Sequence, residues 1–197
     1  MSPLPFVWPY WPPFWAVCIW AFAPEFRIVR KARKPAAHSD SPDAGSVRVI
    51  LLGGSIATII AYPLAWVSAL RVPATLAPAI FVIGVAAIVA GSVLRRHCWR
   101  LLGASFTGDV RAHRDQPIVT TGAYALVRHP SYSAALLMNV GIGLALGSWA
   151  SIAVLALASF VVYSYRIAVE ERTLLAVVGE PYRQFMRTRR RLIPFIY

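Results

Sequence analysis

A chain of 197 residues in which 58% are hydrophobic and only 14% charged has the composition of a polytopic membrane protein rather than a soluble domain. Its formal charge of +12 requires no nucleic acid, because basic residues beside membrane spans set topology and attract anionic headgroups. Two cysteines far apart in sequence, Cys18 and Cys98, with no Cys/His ligand spacing, support neither a disulfide framework nor a metal site.

One helical crossing of the bilayer takes about 17–25 residues, and the chain can be divided by that measure. Leu4 to Pro24 is rich in Trp, Tyr and Pro and uncharged before Glu25, as expected of a first span with an aromatic interfacial belt. It lacks the basic start of a secretory signal. A polar, basic loop over 25–48 follows. Val49 to Leu70 and Ala74 to Leu94 are two uncharged runs separated by Arg71, Val72 and Pro73, and read as a tight helical hairpin. The polar stretch Arg95 to Tyr132 contains the β-branched run IVTTG. Pro117 and Gly122 bracket that run, so Ile118 to Thr121 is expected to be extended, with free amides.

The apolar region Ser133 to Tyr165 is too long for one crossing and short for two, and GSW at Gly147 to Trp149 offers a turn inside it. It therefore reads as two short or tilted helices, with GLALG, Gly143 to Gly147, packing internally against its neighbours. The expectation is an all-α integral membrane protein of about five transmembrane helices. Residues 1–101 hold the first three, and residues 102–197 carry a helical hairpin over 131–177 and a basic tail. Of the 20 Lys and Arg residues all but Arg71 fall on one side of this arrangement, which puts the N-terminus outside and the C-terminus in the cytoplasm. Abundant alanine, with arginine far exceeding lysine, points to a bacterial inner membrane.

The spans contain almost no ionisable groups, so a pump or ion channel finds little support, and the chemistry must lie on the cytoplasmic side. His38, His97 and His113 are isolated histidines with no evident role. Pro130 stands at the first turn of the helix that enters the membrane, where its missing N–H is no loss. Free amides of that turn, the positive end of the helix dipole, Arg128 and His129 together form an anion site. The alternative is that Arg128 and His129 are interfacial anchors reaching for headgroups. The second helix of the hairpin returns to the same face with Arg166 and Glu170, which share a helix face and can pair, whereas Glu171 and Arg172 point elsewhere. A ligand with a carboxylate and an ammonium group complements such a site. S-adenosylmethionine has both, with a sulfonium that Tyr124 or Tyr132 would favour through cation–π attraction, although these residues alone do not single it out.

The pattern IVTTGAYALVRHPSY over Ile118 to Tyr132, followed by EERTLLAVVGEPYRQF and RRRLIPFI, resembles the isoprenylcysteine carboxyl methyltransferase family and, in the same half, the related phospholipid N-methyltransferases. The resemblance covers roughly Leu102 to Ile196. It implies a helical membrane fold that binds S-adenosylmethionine in a cytoplasmic pocket formed by the C-terminal half, with a lipophilic acceptor entering from the bilayer. Carried over residue by residue, Arg128, His129, Pro130 and Ser131 match the cofactor motif, Tyr124 and Tyr132 its tyrosines, and Gln116, Pro117, Ile118 and Val119 the backbone lining the cofactor. Arg111 matches a further polar contact, across a loop that is shorter here. Glu170 matches the cofactor-binding acid and Arg166 the arginine beside the acceptor. Ala123, Ala134, Val178 and Phe185 depart from the family pattern.

The expected activity is O-methylation of an isoprenoid or phenolic lipid or a prenylcysteine carboxylate, with anionic membrane lipids as further partners and no metal or nucleic acid. The alternatives are N-methylation of a phospholipid amine, a sterol-reductase-like NADPH enzyme, and a non-enzymatic membrane scaffold.

Overall fold

The computed structural model describes residues 2–32, 45–103, 117–194 and 196–197, with side chains described only up to residue 26 in the first of these blocks. Six α-helices account for most of them: α1 Trp11–Ala32, α2 Ser46–Leu64, α3 Ala77–Leu102, α4 Pro130–Leu146, α5 Trp149–Val177 and α6 Glu180–Thr188. The described residues contain no strand, only isolated bridges.

By length and composition α2, α3 and α5 can cross a membrane, with mean hydropathies of 1.8, 2.4 and 1.9, and α4 is a shorter apolar helix. The all-helical membrane fold is as expected. The aromatic first segment is subtler than a single span from Leu4: Leu4–Phe6 forms a 3-10 turn and the helix proper begins at Trp11. Pro12 and Pro13 occupy its first turn, where no N–H is needed. Phe6 packs edge-on against Trp15 and Tyr62, fastening the start of the chain to α2.

The turn read at Gly147 to Trp149 is where the chain reverses. Gly147 closes α4 in the left-handed region (φ 67°), and the Ser148 hydroxyl accepts from the Ser151 amide to open α5. Inside this hairpin a Cβ on Gly143 would sit 2.7 Å from the Ile152 Cα, so the glycine is what lets the two helices meet.

The second hairpin read from the sequence does not pack as one. α2 lies along α5, while α3 lies along α4, so the two helices take opposite arms of the α4–α5 hairpin. Their connection is tied to that hairpin's turn by the Val72 amide, which donates to the Gly147 carbonyl at 3.0 Å. The physical reason is close backbone approach. In lipid, where apolar surface brings no net association, small residues that let backbones touch select the partner. A Cβ on Gly84 would lie 2.5 Å from the Ala145 amide nitrogen and 2.6 Å from the Gly141 carbonyl oxygen, and one on Gly91 would lie 2.7 Å from the Ala134 carbonyl oxygen. On the other arm Gly53 accommodates Val162, and the Ser151 hydroxyl donates to the Ala61 carbonyl at 2.7 Å. Phe14, Phe81, Ile88, Met138, Leu146 and Leu155 fill the space between the layers.

Adding a methyl group at the α3–α4 contact therefore forces backbones apart. Gly84→Ala is expected to cost roughly 1–3 kcal/mol, whereas Gly54→Ala, with nothing within 4 Å of its Cβ, is expected to stay within about 0.5 kcal/mol of the parent. Thermal unfolding in detergent checks this; equal melting temperatures for the two variants would contradict the interlocked pair.

Candidate active site at the start of α4 and the end of α5

Because α4 and α5 are antiparallel, Pro130 and the residues beyond Tyr165 return to one end of the molecule. Pro130 is the first residue of α4 and His129 its N-cap, as the sequence predicts. One turn on, the Tyr132 hydroxyl donates to Glu170 Oε2 at 2.9 Å and accepts from Arg166 Nε at 3.2 Å. The three residues expected to converge do so. The link between Arg166 and Glu170 runs through this phenol rather than through a direct pair. Arg166 is 4% exposed, and its Nη1 also donates to the Ser46 hydroxyl at the start of α2. Tyr132 stacks on Tyr163 (centroids 5.5 Å, planes 27° apart), whose hydroxyl accepts from Asn139 Nδ2 at 3.3 Å. Among the described residues Tyr132 is the one hydrogen-bond partner of Glu170, which leaves Oε1 for a ligand.

Glu171 has the opposite character. It is 3% exposed. Its Oε1 receives Arg128 Nε at 2.8 Å and His129 Nε2 at 3.2 Å, and its Oε2 receives Arg191 Nε and Nη2, each at 3.1 Å. Arg128 Nη1 donates further to the carbonyls of Met186 (2.8 Å) and Arg189 (2.7 Å). The tail then runs beside the start of α4: the Arg128 amide donates to the Arg190 carbonyl at 2.7 Å, the His129 amide to that of Arg191 at 3.0 Å, and the Ser133 hydroxyl to that of Leu192.

The anion site expected at the start of α4 thus meets the chain's own groups. The amides of Tyr132 and Ser133 close on the His129 carbonyl (3.0 and 3.2 Å), Pro130 has none, and Arg128 and His129 are turned to Glu171 and the tail. Glu171, set aside in the sequence reading because it leaves the Arg166–Glu170 face, is the carboxylate these two side chains face. The signal for it was the excess of charge: a buried Arg-His pair and an arginine-rich tail need an acid between them.

A second cluster missed from sequence lies across α1, α3 and α4. Arg95 holds Glu25 with Nε and Nη2, the latter at 2.8 Å from Oε2, and its Nη1 donates to the Ser131 carbonyl (2.7 Å) and hydroxyl (3.0 Å). Its guanidinium also lies over the Trp99 ring, 5.1 Å from the centroid. Next to it, Arg96 Nη2 donates to the Trp20 carbonyl at 2.6 Å and covers the Trp20 ring. Read from sequence these arginines only signalled topology; in the fold Arg95 fixes Ser131, next to Tyr132, and Arg96 ties α3 to α1.

Of the remaining expected residues, Tyr124 is buried on a 3-10 turn, Gly122–Ala125. Burial pushes its phenol well above the ordinary tyrosine range, so it stays neutral. Pro117, Ile118 and Val119 belong to a stretch that is neither helix nor strand. Arg111, Gln116 and His113 lie outside the described residues. Among the described residues no group of three or more His, Cys, Asp or Glu side chains is placed to hold a metal ion.

Residues 82–176 match a family profile that begins within α3 and runs to the end of α5. It is that of the isoprenylcysteine carboxyl methyltransferase (ICMT) family. The resemblance seen in the sequence is thereby established, over a segment that starts earlier than Leu102 and so takes in the part of α3 that packs on α4. Among ICMT relatives, the protein-S-isoprenylcysteine O-methyltransferase of Schizosaccharomyces pombe is 34% identical over 108 residues, which are 54% of this chain and 46% of that one. That of Tribolium castaneum is 33% identical over 116 residues, 58% of this chain and 41% of that one. The protein of the same name from Xenopus laevis is 28% identical over 195 residues, 94% of this chain and 65% of that one. The chain thus spans less than half the length of the first two relatives, and all three are eukaryotic. A solved structure of the eukaryotic intramembrane Ras methyltransferase ICMT superposes with a TM-score of 0.68 at 24% identity, covering 94% of this chain and 68% of that one. That likeness establishes the fold.

Removing the Glu171 carboxylate leaves the buried Arg128 guanidinium beside no counter-charge and the His129 ring without its acceptor. Glu171→Ala is expected to destabilise the protein by about 3–5 kcal/mol and to release the tail. Hydrogen exchange at the Arg128 and His129 amides reads this directly. Unchanged protection of both would show that the tail is held by other means.

Proposed function

We propose that the chain is an integral-membrane methyltransferase that transfers a methyl group from S-adenosylmethionine to the carboxylate oxygen of a prenylcysteine or a similar lipophilic acid. The observation that carries this is the pairing of unlike roles at Tyr132: a buried cation, Arg166, on one side of its hydroxyl, and a carboxylate with an uncommitted oxygen, Glu170, on the other. The names and the family match of the relatives support the same reading.

The residues present fit the cofactor. Glu170 Oε1 is a partner for its ammonium, and the faces of the neutral Tyr124 and Tyr132 rings favour a sulfonium by cation–π attraction. With Arg128 and His129 turned to Glu171 and the Tyr132 and Ser133 amides closed on the His129 carbonyl, the cofactor carboxylate is assigned to the segment after Pro117. There the Ile118 and Val119 amides make no backbone hydrogen bond among the described residues; Arg111 and Gln116, which the family resemblance adds to the cofactor contacts, lie outside those residues. Arg128, His129, Pro130 and Ser131 serve the site by holding its wall. S-adenosylmethionine supplies a methyl group activated by the sulfonium charge, and the protein contributes position and charge. Arg166, steadied by Ser46 and Tyr132, balances the acceptor carboxylate and fixes the oxygen that attacks. A cation at this position favours an acidic acceptor over an amine, which sets O-methylation above phospholipid N-methylation. The distribution of arginine supports a cytoplasmic position for this end of the molecule, with the acceptor arriving from the bilayer.

The test is incubation of the reconstituted protein with methyl-labelled S-adenosylmethionine and an amine-blocked S-farnesyl cysteine. A base-labile labelled methyl ester is expected, and Glu170→Ala or Arg166→Ala should each lower kcat/KM by roughly 10²–10³-fold in protein that still unfolds cooperatively. Full activity in both variants would overturn the assignment. A base-stable labelled amine formed from a lipid extract would favour the N-methylating alternative, and tight binding of NADPH with none of S-adenosylhomocysteine would favour a reductase.

A further inference from the structure

The tail carries more positive charge than the folded chain consumes. Of the five arginines from Arg183 to Arg191, Arg183 lies 3.7 Å from Glu180 and Arg191 reaches Glu171. Arg187, Arg189 and Arg190 have no carboxylate partner among the described residues. Arg187 and Arg190 are exposed. Arg189 spends Nη1 on the Thr188 carbonyl, and its Nε is buried with no hydrogen-bond partner at all. A surface of ordinary purpose would disperse such cations. Here they converge: Arg187, Arg189 and Arg190, with Arg128 and Arg191 behind them, line a single cleft of about 680 Å³.

One side of that cleft is apolar. Leu126 and Ile196, which also line it, are 60% and 74% exposed, and Ile193 close by is 38% exposed. Arginines set among exposed aliphatic side chains at the end of a membrane hairpin match the two levels of a bilayer surface, apolar groups at the acyl boundary and guanidinium groups at the phosphates. Several guanidinium forks around one cavity suit a phosphate group, which accepts from each fork through paired oxygens.

We propose that this cleft binds the phosphate of an anionic phospholipid of the surrounding leaflet. The site is separate from the acceptor site and independent of the methyl-transfer reading, since binding needs no turnover. Its back wall is shared with the Glu171 cluster through Arg128 and Arg191, so a bound phosphate offsets the repulsion among the tail arginines and favours the docked tail.

The experiment uses the full chain, purified in neutral detergent and titrated with short-chain phosphatidylglycerol, with phosphatidylcholine or with inorganic phosphate, the retained ligand being counted by native mass spectrometry. Phosphatidylglycerol is expected to be retained in preference to phosphatidylcholine. Arg187→Gln and Arg190→Gln together should weaken it by roughly twenty- to thirtyfold, on the order of fivefold for each arginine. Both side chains are exposed, and the docking of the tail uses the Arg190 carbonyl rather than its guanidinium, so the double variant keeps the fold; an unchanged melting temperature verifies this. Equal retention of the two lipids, or undiminished retention by the double variant, would overturn the proposal. Inorganic phosphate bound as tightly as phosphatidylglycerol would overturn the lipid as its ligand.

Discussion

The membrane-boundary end of this protein hangs on one carboxylate. Glu171 is taken out of water at a cost that only close, hydrogen-bonded partners offset, and it obtains them from three residues: the Arg128 guanidinium and the His129 ring ahead of α4, and the Arg191 guanidinium in the tail. One group thus ties the end of α5, the start of α4 and the last residues of the chain. Its neighbour is freed by the same arrangement. Successive residues on a helix point about 100° apart, so with Glu171 turned into the cluster, Glu170 is directed to Tyr132 and keeps an oxygen to offer. Two adjacent acids divide the work, one as a clasp and one, in the function proposed, as the partner of a ligand.

What could be read from the sequence was what local signals encode. The reversal at Gly147 and Ser148 is written in a left-handed glycine and a capping serine, and the start of α4 in Pro130. Once that hairpin is granted, the meeting of Tyr132 with Arg166 and Glu170 follows, because antiparallel helices joined by a tight turn must return their ends together. Long-range choices were not legible. Hydropathy identifies α2 and α3 as apolar but says nothing of partners, and their sequence proximity suggested a pair that the fold does not make. The choice rests on Gly84, Gly91 and Gly141, whose absent side chains leave no mark in a hydropathy profile. The Glu25–Arg95 pair joins residues 70 apart and was hidden inside what looked like a topological charge count.

The N-terminal helices are therefore more than membrane filling. Through Arg95 they grip Ser131, and through Ser46 they support Arg166. Each contact reaches the site from a different element, so the side chains that frame Tyr132 are braced from both arms of the hairpin. This preorganisation is what the proposed displacement would ask of a protein that contributes position and charge.

The backbone contact between α3 and α4 has a further effect. Helices that touch through glycine have no side-chain cushion between their backbones, and α4 is short, at 17 residues. Gly141 lies nine residues from Tyr132, roughly 14 Å along the axis at the helical rise. The same helix thus carries the tight backbone contact with α3 at one end and, at the other, the phenol between Arg166 and Glu170, so the room that glycine leaves at the first sets the height of the second.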